Sequence, residues 1–171
     1  MELNPLDILV LLKIVAQKPL PWTQTSLAKD LHIAQSQVHS SLRRAEAARL
    51  YSSTTKRVSH SALLEFIVHG VKYAYPPKRA GLTRGIPTGY AAEPLRDYIA
   101  QPADPPPVWP DPEGSVRGYE FEPIDKRAPR AAQTDPNLYR LLVLVDAIRD
   151  GSARESKIAI DLLRKELNQH S

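Results

Sequence analysis

The chain has 171 residues, a formal net charge of +4 and no cysteine, a composition that excludes disulfides, thiolate chemistry and Cys-based zinc sites. At this length it can hold one domain, or one domain with an appendage, and it can bury a core. The positive charge is uneven, because residues 1–79 carry 11 Lys and Arg against 5 Asp and Glu whereas the remainder carries 12 against 14.

The sequence lacks the features of membrane insertion and export. No apolar stretch approaches the roughly 18 residues that a bilayer-spanning helix needs. The N-terminus has no basic region ahead of its apolar run, which a signal peptide would have. Together with the absence of cysteine, these features favour a cytoplasmic protein.

The first predicted helix covers residues 6–17 and is apolar on nearly every side. Asn4 and Pro5 suit a helix cap and a first helical residue, and Asp7 suits the first turn. A helix without a solvated face is buried on both sides. Because a three-helix unit covers only one side, we expect the other side to contact a second chain or the C-terminal helices.

Two short helical patterns follow within residues 23–51. Val38, Leu42 and Ala45 recur at i, i+4 and i+7, which predicts the buried face of the second of these helices. The opposite face carries hydroxyls, amides and guanidinium groups, and no carboxylate before Glu46. Such groups hydrogen-bond base edges and phosphates in a major groove. The candidate DNA-binding residues on and beside this face are Gln35, Ser36, Gln37, His39, Ser40, Arg43 and Arg44.

The pattern of residues 27–50 resembles the helix-turn-helix of winged-helix transcription regulators, a broad group similar to the MarR-type proteins. The resemblance implies that residues 34–49 form the recognition helix. Three positions depart from the family pattern: His32 replaces the turn glycine, Ala34 replaces the Ser or Thr cap, and Arg49 replaces the glycine that ends the helix. Histidine tolerates left-handed backbone better than most residues. The residues that carry the resemblance are Leu27, Ala28, Leu31, Ile33, Ser36, Val38, Leu42, Glu46 and Leu50.

The resemblance also implies a β-hairpin wing. Directly after Tyr51 we expect too little chain for a hairpin, because a further helix is predicted over residues 59–69. The predicted wing lies later, with residues 71–75 as one strand and 82–88 as the other; an irregular Pro- and Gly-rich loop is the alternative. Basic residues expected to contact the DNA backbone are Lys56, Arg57, Lys78, Arg79 and Arg84.

Residues 76–133 hold 12 of the 16 prolines and 5 of the 7 glycines. Much of this segment must be extended or turning, because proline cannot continue a helix or a central strand. A flexible linker is one interpretation. Large apolar residues, among them Val108, Trp109 and Ile124, favour an ordered arm packed over the protein, with residues 115–121 as an edge strand.

The C-terminal part returns to helix. Asp135 and Pro136 predict the start of one helix, and Ser152 and Glu155 form a capping box for the next. The first of these helices is apolar on most sides, as is the helix over residues 6–17. We therefore expect the N- and C-terminal helices to pack across a two-fold axis in a homodimer.

Patterns of catalysis and metal binding are missing. The glycines at 81, 85 and 89 are not followed by the Lys and Ser or Thr of a P-loop, and no serine lies in GxSxG. His60 and His69 fall on opposite sides of their predicted helix and cannot share a metal. The sequence therefore predicts neither an enzyme nor a cofactor or metal site.

Taken together, these features predict a mainly α protein in three parts. Residues 1–75 are a helix-turn-helix, winged-helix-like DNA-binding domain, residues 76–133 the Pro/Gly-rich arm with short strands, and residues 134–171 a C-terminal helical hairpin for dimerisation. The predicted function is a sequence-specific transcription regulator, a homodimeric repressor that inserts helix 34–49 in the major groove of double-stranded DNA. The alternative is a protein-interaction or antitoxin-like module in which the Pro-rich arm binds a partner protein, with Trp109, Tyr119 and Phe121 as the expected anchors.

Overall fold

A computed structural model describes residues 1–169, and its first helix, α1 (Pro5–Gln17), is buried along almost its whole length. The helix begins where the sequence predicts, with the Asn4 N–H donating to Asp7 Oδ2 at 2.9 Å. It packs against α3 (Gln35–Ala47) and also against α7 (Pro136–Asp150). The chain itself therefore supplies the covering surface that α1 needs, so α1 gives no reason to infer a second chain.

The helix pair forms where the sequence predicts. In α2 (Gln24–Leu31), the Thr23 hydroxyl caps the start by accepting from the Ser26 N–H at 2.9 Å. His32 ends the helix in left-handed backbone, with φ 57° and ψ 44°. Arg49, which follows α3, has φ 65°. His32 and Arg49 thus both adopt left-handed backbone, the conformation that glycine adopts most readily.

A short hairpin directly follows α3, and the prediction that there is too little chain for one is wrong. Strands β1 (Tyr51–Ser52) and β2 (Arg57–Val58) pair antiparallel, with Tyr51 opposite Val58. Lys56, in the turn between the two strands, takes a positive φ of 55°. The next helix, α4 (His60–His69), begins at its Ser59 cap as predicted.

The predicted strand over residues 71–75 is also wrong. This segment is a single helical turn, α5 (Val71–Ala74), in which the Tyr75 N–H donates to the Val71 carbonyl at 2.8 Å. Gly70 ends α4 but does not redirect the chain into an extended conformation. Residues 82–88 consequently have no strand partner in 71–75.

The proline-rich segment contains three strands that close on one another: β3 (Arg79–Pro87), β4 (Pro107–Pro110) and β5 (Val116–Phe121). β5 pairs antiparallel with β3 and parallel with β4, and β3 pairs antiparallel with β4. The predicted strand over 115–121 is therefore present, but it is not an edge strand because both of its sides are hydrogen-bonded. Trp109 and Phe121 lie in the core, 1% and 2% exposed.

The close approach of β5 to the chain before β4 depends on Gly118. A Cβ atom there would lie 2.0 Å from the Pro106 carbonyl oxygen, which accepts from the Tyr119 N–H at 2.8 Å. We expect Gly118→Ala to lower the free energy of unfolding by about 2 kcal/mol, because the strands must separate. The matched control is Gly81→Ala, where a Cβ atom meets nothing within 4 Å. Urea unfolding followed by tryptophan fluorescence measures both; equal stabilities would contradict the proposed contact.

The C-terminal helices complete the core. A short helix, α6 (Ala128–Gln133), leads into α7, and the last helix, α8 (Ala153–Gln169), packs against α7 and α4. All residues of α7 from Leu141 to Arg149 are buried. The surface that the sequence assigns to a dimer interface is thus covered within one chain. The mainly helical architecture with small sheets is confirmed.

A buried polar cluster joins α7 to the sheet. Asp146 Oδ2 accepts from Thr88 Oγ1 at 2.6 Å and from Trp109 Nε1 at 2.8 Å, while Asp146 Oδ1 accepts from Arg149 Nη1 at 2.9 Å. Burial raises the pKa of Asp146, and the Arg149 guanidinium and the two other donors oppose that shift. Arg149 also donates to the Tyr75 carbonyl at 2.9 Å. α7 is thus joined to the sheet by this cluster, α1 packs on α7, and α3 packs on α1.

Candidate nucleic-acid interface

The outer face of α3 gathers most of the predicted DNA-binding residues. This α3 face is defined by five exposed residues, and Gln37 beside them is half-buried. The side chains of four of the five, all except Gln35, make no hydrogen bond or ion pair within residues 1–169. Their donors and acceptors are therefore available to a ligand. The five residues are Gln35, Ser36, His39, Ser40 and Arg43.

The two glutamines at the start of α3 serve partly local roles. Gln35 Oε1 accepts from Thr25 Oγ1 at 3.2 Å, which ties α3 to α2. Gln37 Oε1 accepts from the Ala34 N–H at 2.9 Å. This bond satisfies the backbone donor at the helix start, although Ala34 itself has no side chain that could cap the helix. The amide N–H groups of both glutamines remain free to donate.

Arg44 is directed inward, away from the predicted contact surface. Its Nε donates to Asp7 Oδ2 at 3.0 Å and its Nη2 to Asp7 Oδ1 at 2.9 Å. The Ser41 hydroxyl, which is fully buried, also donates to Asp7 Oδ1. The hydrogen bonds that Arg44 donates to Asp7 raise the pKa of Arg44. Arg44 thus fixes α3 on α1, and Asp7 engages the Nε and Nη2 atoms of its guanidinium.

Glu46, the first carboxylate on the exposed side of α3, is bound to the β1–β2 turn. Its Oε1 accepts from the Ser53 N–H at 2.9 Å and from the Ser53 hydroxyl at 2.7 Å. These hydrogen bonds, with a smaller contribution from the positive charge of Arg43, lower the pKa of Glu46. The carboxylate therefore holds the hairpin against α3 and does not neutralise the α3 face through an ion pair.

The β1–β2 hairpin is basic. Lys56 and Arg57 are exposed, and neither forms an ion pair within the described part of the chain. The pKa of Lys18, at the end of α1, is lowered mainly by burial and further by the positive charge of Arg57. Cationic groups are thus close together at the base of the hairpin, as a phosphate-binding surface requires.

Lys78, Arg79 and Arg84 lie elsewhere. Arg79 pairs with Asp150 at the end of α7, and Arg84 is on the exposed side of the sheet. Residues 71–75 contain a helical turn and not the strand that a wing at residues 71–88 needs, so the predicted location of the wing is wrong.

Asp7 and Asp146 orient the helices, and the sequence predicts no contact with another element for either. For Asp7 the sequence predicts only a favourable charge in the first turn of α1. Both carboxylates are buried, and each accepts several hydrogen bonds from side chains distant in sequence. A carboxylate at a helical position that the apolar pattern places inside is the sequence signal of such a partner.

Neither a metal cluster nor a membrane span is found in the part of the chain that the structure describes. No three His, Asp or Glu side chains of residues 1–169 come together as metal ligands would. None of the helices in this range has the length and apolar character needed to cross a bilayer. Comparison of the chain with family models, with curated proteins and with solved structures finds no match.

Proposed function

We propose that this protein is a sequence-specific transcription regulator that binds double-stranded DNA through a winged-helix-like unit. Helix α3 enters the major groove, and the β1–β2 hairpin acts as a short wing. The observation that carries the proposal is the α3 face, which is exposed, free of ion-paired carboxylates and rich in the donors and acceptors that read base edges.

The arrangement around α3 supports this function. Asp7 of α1 holds α3 on the core through Arg44, and Glu46 of α3 holds the β1–β2 hairpin through Ser53. A recognition helix needs such rigid support because a small displacement removes several hydrogen bonds to bases. Lys56 and Arg57 on the hairpin would contact phosphates, which position a protein on the duplex without reading sequence.

A homodimeric repressor stays a prediction. Two α3 helices related by a two-fold axis would read half-sites about one helical turn apart. The interface would have to lie outside α1 and α7, because both are buried within the chain. The alternative of a partner protein held by the proline-rich segment loses two of its expected anchors, Trp109 and Phe121, which are in the core.

Arg43 gives the direct test. A binding site is first selected from a random duplex pool, and affinity is then measured by fluorescence anisotropy. We expect Arg43→Ala to weaken binding to the selected site by at least about 1 kcal/mol, because a guanidinium that contacts a guanine is lost. The control is Arg154→Ala, an exposed arginine at the start of α8 without an ion pair among the described residues. Unchanged affinity of the Arg43 variant, or an equal loss in the control, would contradict the assignment.

A further inference from the structure

On the exposed side of β3 and β5, two cross-strand pairs of residues are unusual. Arg84 stands directly opposite Arg117, and Leu82 stands directly opposite Tyr119. All four residues are exposed, Leu82 by 48% and Tyr119 by 43%. We call these four residues the sheet face. It combines two cationic groups with an aromatic ring and an aliphatic side chain.

The arginine pair is unfavourable without an anion. Like charges directly opposite one another on neighbouring strands destabilise a sheet. Neither guanidinium has an ion pair or hydrogen bond within residues 1–169. The Asp111 carboxylate, whose backbone N–H donates to the Arg84 carbonyl, is engaged by the Glu113 N–H and by Gln133. A bound anionic ligand would offset the repulsion that the protein itself leaves uncompensated.

The exposed ring of Tyr119 indicates which class of anion this face would bind. The Tyr119 ring makes no contact with another ring in the described chain, so its exposed part is open to stacking. Grooves that combine positive charge with exposed aromatic rings are typical of single-stranded nucleic-acid binding, where a base stacks on the ring. In a duplex the base faces are covered by neighbouring bases and cannot stack in this way.

We propose that the sheet face binds single-stranded nucleic acid. Arg84 and Arg117 contact phosphates, the Tyr119 ring stacks on a base, and Leu82 packs against the same base or its sugar. This site shares no residue with the α3 face, because it belongs to β3 and β5. The duplex and the single strand would therefore contact different residues, and neither site depends on the other for its function.

The test uses the full chain and four labelled probes. Two are single strands, a twelve-nucleotide oligothymidylate and the matching oligouridylate. The other two are duplexes, one of unselected sequence and one that carries the site selected from the random duplex pool. Fluorescence anisotropy is measured over a range of salt concentrations. We expect Tyr119→Leu to weaken single-strand binding by roughly tenfold. The double variant Arg84→Gln/Arg117→Gln should weaken it further and reduce the slope of log affinity against log salt by about 0.7 for each arginine. The relative affinities of the two oligonucleotides distinguish DNA from RNA as the ligand.

Matched controls separate the two sites. Tyr73→Leu changes another tyrosine, 75% exposed on α5, and should leave single-strand binding unchanged, as should Arg43→Ala on the α3 face. Circular dichroism confirms that each variant is folded. The proposal is overturned if the wild-type chain does not bind either oligonucleotide, or if the sheet-face variants bind them normally. It is also overturned if these variants alter only self-association, which would make the sheet face an interface between copies. If Arg43→Ala loses duplex binding but still binds the oligonucleotides, the result supports two independent sites.

Discussion

Asp146→Ala is expected to lower the free energy of unfolding by about 4 kcal/mol, because breaking a buried ion pair leaves an uncompensated charge. Arg149 is 5% exposed and would lose its only carboxylate partner within residues 1–169. The buried Thr88 hydroxyl and Trp109 Nε1–H would each lose an acceptor. Trp109 lies in this cluster, so urea unfolding followed by its fluorescence measures the change directly.

Two further variants show whether the loss arises from this cluster. Asp150→Ala removes a carboxylate from the same helix, but the Asp150–Arg79 pair is solvent-exposed, and such pairs contribute about 1 kcal/mol or less. Removing both charges in Asp146→Leu/Arg149→Met should recover part of the stability lost in Asp146→Ala. If Asp146→Ala and Asp150→Ala unfold at the same urea concentration, the cluster does not join α7 to the sheet as described.

The helices were predictable because their signals are local. Asn4 with Pro5 and Asp135 with Pro136 mark helix starts within a few residues, and the structure begins α1 and α7 there. The left-handed conformation of His32 likewise follows from its place between two helical patterns. Capping and periodicity depend on neighbours in sequence, so a single chain displays them.

The pairing of strands was not predictable in the same way. β3 is separated from β4 by 19 residues (88–106) and from β5 by 28 (88–115). The residues that join the sheet to α7 are still further apart in the sequence. Local patterns located the strand over residues 116–121 but could not show its partners. The β1–β2 hairpin was missed for another reason, since two-residue strands are too short to show an alternating pattern.

The dimer inferred from α1 illustrates a limit of hydrophobic patterning. A helix that is apolar on every side must pack against other elements on every side, and the pattern does not show whether those elements belong to the same chain. Here one such element is α7, about 120 residues away, and the Lys13–Asp135 ion pair of 2.7 Å joins the two helices. The candidate DNA-binding residues were easier to locate, because exposure on α3 follows from the buried stripe of Val38, Leu42 and Ala45.

Asp7→Ala is expected to lower the free energy of unfolding by about 3 kcal/mol, because Arg44 and the buried Ser41 hydroxyl both lose their acceptor. Thermal or urea unfolding measures this loss. If α3 is the recognition helix, the variant should also bind the selected duplex more weakly while still folded, since Asp7 positions α3 without reaching the α3 face. Arg44→Met and the double variant complete a cycle, for which we expect a coupling free energy of at least about 1 kcal/mol.

The control is Asp30→Ala, which removes a carboxylate that lies 3.6 Å from Lys13 and is 42% exposed. This change should alter stability by less than about 1 kcal/mol, because the Asp30 contact is partly exposed and Lys13 keeps its 2.7 Å ion pair with Asp135. Strictly additive effects of Asp7→Ala and Arg44→Met would mean that the pair does not fix α3 on α1. Normal duplex affinity of a folded Asp7→Ala variant would show that α3 keeps its position without this contact, and the positioning role of Asp7 would then be excluded.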